Sequence, residues 1–175
     1  TGENDAGDDP GTGPGCDPLP YSVYASPKKN VAIDGLSVAD EDVAMYDGAT
    51  CEWSLAFDGS VAGLPSTANV DALAVDNEDL FLSFVAPLNV PGISGQVDDS
   101  DVVKYGGGSF SLYLDGSAFG LSTDAEDIDA IAFDETGKLL VSTLGAYLVT
   151  GLPKGQDEDL LRFDGVAWEL RFDGS

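Results

Sequence analysis

The sequence predicts an all-β fold, built as an array of four-stranded antiparallel units that repeat about every 58 residues. The first observation is self-similarity, because VDALAVD, starting at Val70, returns as IDAIAFD, starting at Ile128. The second is that short segments rich in β-branched and aromatic residues alternate with clusters of Gly, Asp and Pro, as strands alternate with turns. The third is that EWSLAFDGS, FSLYLDGS and WELRFDGS recur, so the same segment closes three successive units.

Each full unit has four predicted strands, which we call A to D in chain order. Strand A is predicted at 70–76 and 128–134, B at 21–26, 79–85 and 138–143, C at 42–46, 101–105 and 159–163, and D at 52–58, 109–115 and 167–173. Glycines between C and D supply the positive φ that a tight hairpin needs. A helix over 37–45 is the weaker interpretation, because that stretch stands in register with SDVVKY and EDLLRF.

The apolar pattern predicts how the units pack. Strand D carries alternating apolar residues, such as Trp53, Leu55 and Phe57, so one of its faces is predicted to be buried. The B segment at 79–85 is apolar on both faces and is therefore predicted to be covered from both sides.

With FDGS, GL, VDAL and DED in this order, the unit resembles the blade-type, β-propeller-like repeats of secreted acidic bacterial proteins, over about 150 residues. About 2.7 units are too few to close a ring alone, since closed propellers have at least four blades. Unit 1 lacks strand A, and the sequence given stops at DGS, so we expect two open ends.

The predicted organisation is a flexible acidic Gly/Pro linker over 1–20, followed by a β-repeat domain over 21–175 with units 21–64, 65–121 and 122–175. Cys16 and Cys51 are the two cysteines of an apparently exported chain, so we expect them to form a disulfide.

Seven basic and 32 acidic residues give a formal net charge of −25, which disfavours nucleic acid and anionic lipid as partners and suits cations such as Ca²⁺. No apolar run is long enough for membrane insertion. The absence of His excludes Ser–His–Asp and Cys–His catalysis, and we predict no catalytic residue and no certain cofactor. Paired carboxylates could hydrolyse glycosides, but among 32 acids such a pair arises by chance.

Recurring acids are the candidate Ca²⁺ ligands. Asp71 and Asp129 share parity with the apolar residues of strand A, which places them on its buried side. The other candidates end the B–C loops: Asp99, Asp101, Asp157 and Asp159. The alternatives are backbone hydrogen bonding in turns for the first pair and solvated charge at a strand start for the others.

Two further sets have structural interpretations. The aspartates of the DGS turns, Asp58, Asp115 and Asp173, are predicted to be turn formers. Trp53 and Trp168 are predicted to be core residues, with a sugar-stacking platform as the alternative.

We therefore expect a secreted or cell-surface protein with no enzymatic activity, whose role is structural or adhesive. Copies would self-assemble through their open ends into a homo-oligomeric ring or a filament. The alternative is a Ca²⁺-supported module of a larger secreted protein, which would bind glycan or protein through its B–C loops, 86–100 and 144–158.

Overall fold

The computed structural model describes residues 18–174, which form an open, blade-like all-β array. The strands are β1 (Val23–Ala25), β2 (Val31–Ile33), β3 (Leu36–Val38), β4 (Val43–Asp47), β5 (Glu52–Phe57), β6 (Val70–Asp76), β7 (Asp79–Phe84), β8 (Val102–Gly106), β9 (Ser109–Leu114), β10 (Ile128–Phe133), β11 (Leu139–Thr143), β12 (Leu160–Phe163) and β13 (Trp168–Phe172). Unit 1 has the sheet order β1-β4-β5, unit 2 the order β6-β7-β8-β9, and unit 3 the order β10-β11-β12-β13. The predicted fold class and strands are confirmed, with boundaries shifted by at most two residues.

The three units share their irregularities as well as their strands. In each, a β-bulge interrupts the pairing of strands C and D at the start of C: between Val43 and Ala44, between Val102 and Val103, and between Leu160 and Leu161. A bulge kinks its strand and increases local twist, so the three sheets share this local distortion at the same register position.

The B–C loop of unit 1 contains a hairpin, β2–β3, that the sequence analysis did not predict. Asp34 and Gly35 both have positive φ at its turn, as expected for an Asp-Gly hairpin. The helix considered over 37–45 is absent, because β3 and β4 occupy that stretch.

Two hydrophobic cores lie between the sheets. The first junction, between units 1 and 2, packs Phe57 against Tyr105 with ring centroids 4.9 Å apart. The second junction, between units 2 and 3, packs Phe119 against Phe163 at 4.6 Å. Because unit 2 has a core on each side, five of the six residues of β7 are buried, as its apolar pattern predicts.

We call the side of a sheet that packs on the following unit its forward face, and the opposite side its rear face. The forward faces contain Val43, Phe57 and Leu64 in unit 1, and Val102, Leu114 and Leu121 in the same register in unit 2. The rear faces contain Val103 and Phe110 in unit 2, and Leu161 and Trp168 in unit 3. The inner strands β6 and β10 lie side by side across the second junction.

The linker predicted over 1–20 falls almost wholly outside the described residues. Cys16 lies there too, so the Cys16–Cys51 disulfide stays a prediction, while Cys51 itself is not a free thiol. Within 18–174, no helix has the length and apolar character needed to cross a membrane.

Candidate functional site

Two sheet faces in the described part of the chain have no further repeat unit packed on them: the forward face of unit 3 and the rear face of unit 1. The β2–β3 hairpin contacts β5 of unit 1. On the first, Phe172 is 60% exposed. Leu114 and Phe57 hold the same position in units 2 and 1, where they are 1% and 6% exposed. A register position that is core in both junctions is therefore uncovered in unit 3.

The rear face of unit 1 has the matching pattern. Trp53 is half-buried there, whereas its register equivalents Phe110 and Trp168 are buried in the two junctions. Val23 is 42% exposed, whereas Leu80 at the same position of unit 2 is 8% exposed. This face is thus apolar and only partly covered.

Trp168 is a core residue, as predicted. Its side chain is 7% exposed, and its indole N–H donates a hydrogen bond of 2.9 Å to the carbonyl oxygen of Phe119 in unit 2. A buried indole needs such an acceptor, so the bond fixes the relative position of units 2 and 3.

A buried aspartate directly precedes strand C in every unit: Asp42, Asp101 and Asp159. In each case Oδ2 accepts a hydrogen bond, of 2.8, 2.8 and 3.0 Å respectively, from the backbone N–H three residues earlier. Oδ1 accepts one, of 2.9, 2.9 and 3.0 Å respectively, from the backbone N–H of the glycine that follows strand D. This aspartate clamp ties the start of C to the end of D, and pairs two backbone N–H groups in each unit.

The glycine in the clamp has no room for a side chain. A Cβ on Gly116 would overlap the carbonyl oxygen of Ser100, and the same backbone contact recurs at Gly59 and Gly174. This close approach explains why a glycine follows strand D in each unit.

In units 1 and 2, the aspartate that precedes this glycine forms the turn, as predicted. Asp58 Oδ1 accepts hydrogen bonds from the Ser60 hydroxyl at 2.8 Å and from the Val61 N–H at 2.9 Å. Asp115 accepts the equivalent pair in unit 2, at 2.8 and 3.0 Å.

The structure gives the predicted Ca²⁺ candidates at the loop ends different surroundings. Asp101 and Asp159 are clamp residues, with both carboxylate oxygens hydrogen-bonded. Asp99 is half-buried beside Asp98, whereas Asp157 is exposed. Among residues 18–174, no three His, Cys, Asp or Glu side chains are grouped so as to hold a metal ion.

Asp129, predicted to lie on the buried side of strand A, is exposed. A β-bulge lies between Ile128 and Ala130, but Asp71 lies in an equivalent bulge between Val70 and Ala72, so the bulge does not explain the difference. The strand of Asp71 packs beside β10 of unit 3, whereas within residues 18–174 no further unit follows unit 3 to cover Asp129. The Asp129 carboxylate accepts a hydrogen bond of 2.6 Å from the Ser142 hydroxyl.

Asp71, by contrast, is partly buried and faces Asp127 across the second junction. Oδ1 of each side chain is buried without a hydrogen-bond donor. Burial, followed by the charge of Asp127, raises the pKa of Asp71 to about 7. Burial, followed by the charge of Asp99, raises the pKa of Asp127 to about 6. Asp127 was not among the sequence-based candidates.

Glu126, its neighbour, has the opposite environment. It is 3% exposed, and its carboxylate accepts hydrogen bonds from the N–H groups of Ser122, Thr123 and Leu148, at 2.7, 2.9 and 2.7 Å. Burial raises the pKa of Glu126, but these bonds outweigh burial and hold it below its usual value. Glu126 thereby joins the connection before β10 to the B–C loop of unit 3.

The B–C loops contribute to the junction cores. Leu88 and Val97 form an isolated β-bridge and are buried in the first junction. Tyr147 and Val149 are buried in the second, where the Tyr147 hydroxyl donates to Asp159 at 3.1 Å. Much of the apolar surface of the loops is therefore committed to packing, although Leu148 is exposed.

No protein-family model matches the chain, and no curated protein gives a significant match to it.

Proposed function

We propose that this chain is an exported structural or adhesive protein whose copies assemble end to end, into a fibre or a ring. The forward face of unit 3 on one copy would dock on the rear face of unit 1 on the next. Exposed Phe172 carries the proposal, because its register equivalents are core residues of both junctions. Such a contact joins two different surfaces, so it closes into a ring or propagates as a filament, depending on its rotation.

A second copy is the occupant that best fits these faces. The chain already contains two junctions in which a forward face packs on a rear face. The two open faces have apolar residues at the same register positions as the faces in those junctions. Val23 and Trp53 would be covered by Phe172 and Leu160, as Leu80 and Phe110 pack with Phe57 and Val43 in the first junction core.

Burial of Phe172 supplies part of the driving force. Full burial of such a side chain is worth about 1.5–3 kcal/mol, so covering its exposed part would contribute about 1–2 kcal/mol. A contribution of that size changes the dissociation constant by about 5- to 30-fold.

The net charge of −25 opposes association between copies. We therefore expect assembly to strengthen as salt is added, because screening reduces the repulsion between surface charges. Divalent cations should act at lower concentration than NaCl. If assembly at low salt with a chelator were as strong as assembly with added salt or divalent cations, repulsion between the charged copies would not limit assembly.

The test is sedimentation velocity of the full chain across a range of concentrations, comparing wild type, Phe172→Glu and Val166→Glu. Val166 is 79% exposed in the β12–β13 turn, so its variant adds the same charge outside the proposed contact. We expect wild type and Val166→Glu to assemble alike, and Phe172→Glu to need at least tenfold more protein.

Equal assembly of all three proteins would contradict docking through the forward face of unit 3. If wild type stayed monomeric at every salt and protein concentration, the alternative would lead. In that case the chain would be a Ca²⁺-supported binding module, and glycan or protein binding through its B–C loops would be measured next.

A further inference from the structure

The two junctions are built alike at the start of their inner strands. The backbone N–H of Val70, in β6, donates to the carbonyl oxygen of Asp40 at 2.9 Å. The backbone N–H of Ile128, in β10, donates to the carbonyl oxygen of Asp99 at 3.1 Å. The residues that precede these two, Asn69 and Asp127, therefore occupy the same place in the first and second junctions.

In the first junction that place is filled by an amide. Asn69 Nδ2 donates to Asp40 Oδ2 at 3.2 Å and to the carbonyl oxygen of Lys28 at 3.1 Å. The Asp40 carboxylate, which belongs to the preceding loop, thus receives a hydrogen bond from the Asn69 amide.

In the second junction the amide is replaced by another acid. Asp127 is 7% exposed, and its Oδ1 has no donor. It faces Asp71, whose Oδ1 is also buried without a donor, and Asp99, Asp98 and Asp129 add negative charge around it. The Asn69 amide donates two hydrogen bonds in the first junction, whereas in the second junction no donor reaches Oδ1 of Asp71 or of Asp127.

Asp71 and Asp127 each have one buried oxygen without a donor, and keeping both side chains charged there is costly, because removing an ion from water costs several kcal/mol. Either a proton or a cation must provide the missing positive charge. Carboxylate oxygens are the ligands that hard divalent cations prefer, and such cations commonly keep waters alongside one or two carboxylates.

We propose that Asp71 and Asp127 bind a divalent cation of the Ca²⁺ or Mg²⁺ type in the second junction. Water and backbone carbonyl groups would complete its coordination. The ion would join the inner strands of units 2 and 3, where the first junction uses the Asn69 amide. The site lies within one chain, so it does not depend on assembly between copies.

The test compares thermal unfolding of wild type, Asp127→Asn and Glu135→Gln after removal of metal with a chelator. Asp127→Asn installs the side chain of the first junction. Glu135→Gln makes the same charge change at an exposed turn residue beyond the other end of β10. Each protein is titrated with CaCl₂ and with MgCl₂, and with NaCl at matched ionic strength, at pH 7.5.

We expect saturating CaCl₂ or MgCl₂ to raise the unfolding midpoint of wild type and Glu135→Gln by about 5 °C or more beyond the effect of NaCl. Asp127→Asn should lose this increment, and without metal it should be at least as stable as wild type. Calorimetric titration should detect one more Ca²⁺ per chain in wild type than in Asp127→Asn. Asp71→Asn should behave in the same way.

Two outcomes would overturn the proposal. An equal response of all variants to divalent cations would mean general screening of the net charge. No response of wild type to either cation, with Asp127→Asn more stable than wild type, would mean that the two carboxyls share a proton.

Discussion

Substitution of Asp101 by Asn tests the aspartate clamp in the unit that has a junction on each side. Asp101 is 5% exposed and accepts hydrogen bonds from the N–H groups of Asp98 and Gly116. An amide retains the shape but has only one acceptor, so its NH₂ group must face one of the two donors. One buried backbone N–H would then lose its partner.

The cost follows from these two bonds. Losing a hydrogen bond to a charged acceptor costs about 1.5–3 kcal/mol, and an unsatisfied buried N–H costs about 1–3 kcal/mol. Burial raises the pKa of Asp101, so removing its charge recovers part of this. We expect a net loss of about 3 kcal/mol in the free energy of unfolding.

The assay is equilibrium unfolding in urea, with Glu135→Gln as a control of equal charge change. With a slope of about 2 kcal/mol per M, Asp101→Asn should lower the midpoint by about 1.5 M, and the control should lie close to wild type. Matching midpoints for the two variants would refute the clamp. Loss of a Ca²⁺-dependent stabilisation in Asp101→Asn would instead favour a ligand role for this residue.

Three further variants test separate contacts by the same urea assay. Gly116→Ala should cost about 2–3 kcal/mol, because the added methyl overlaps the Ser100 carbonyl; a change below about 0.5 kcal/mol would contradict this close approach. Glu126→Gln should cost about 2 kcal/mol at pH 7, and less as the pH falls through the lowered pKa of Glu126, because protonation already removes the charge in wild type. A cost that grows on acidification would be inconsistent with that environment. Asn69→Asp should cost about 2 kcal/mol at pH 7, because it removes the amide bonded to Asp40 and adds an acid; unchanged stability would show that this hydrogen bond is unimportant.

The strands were predictable because three physical signals agree along the chain. Alternation of apolar residues marks the strands, Gly and Asp mark the turns, and the repeat places each segment in register with two others. The doubly buried β7 illustrates this, since residues apolar on both faces require a layer on each side.

Departures from regular pairing were not predictable. Bulges lie at both Asp71 and Asp129, and parity arguments assume that bulges are absent. Asp71 is nevertheless partly buried, because β10 packs beside its strand, whereas no further unit of the described chain covers Asp129. The β2–β3 hairpin lies within a loop whose counterpart in unit 2 has only the Leu88–Val97 bridge, so the repeat provided no template for it.

Part of the candidate site was visible in the sequence and part was not. The open faces follow from counting strands, and Asp71 was recognised as an acid that strand A would bury. Asp127 was missed because it precedes its strand, where an acid usually contacts solvent. When the units are aligned, Asn69 of unit 2 stands at the position of Asp127 in unit 3. The change from an amide to an acid at this position is the signal that could have identified Asp127.

Electron microscopy of the protein isolated from its source, without tags or refolding, tests end-to-end assembly most directly. We expect regular fibres or rings, in which the spacing between units across each contact equals that between units within one chain. Isolated particles of single-chain size, at high protein and salt concentrations, would contradict docking between the open faces.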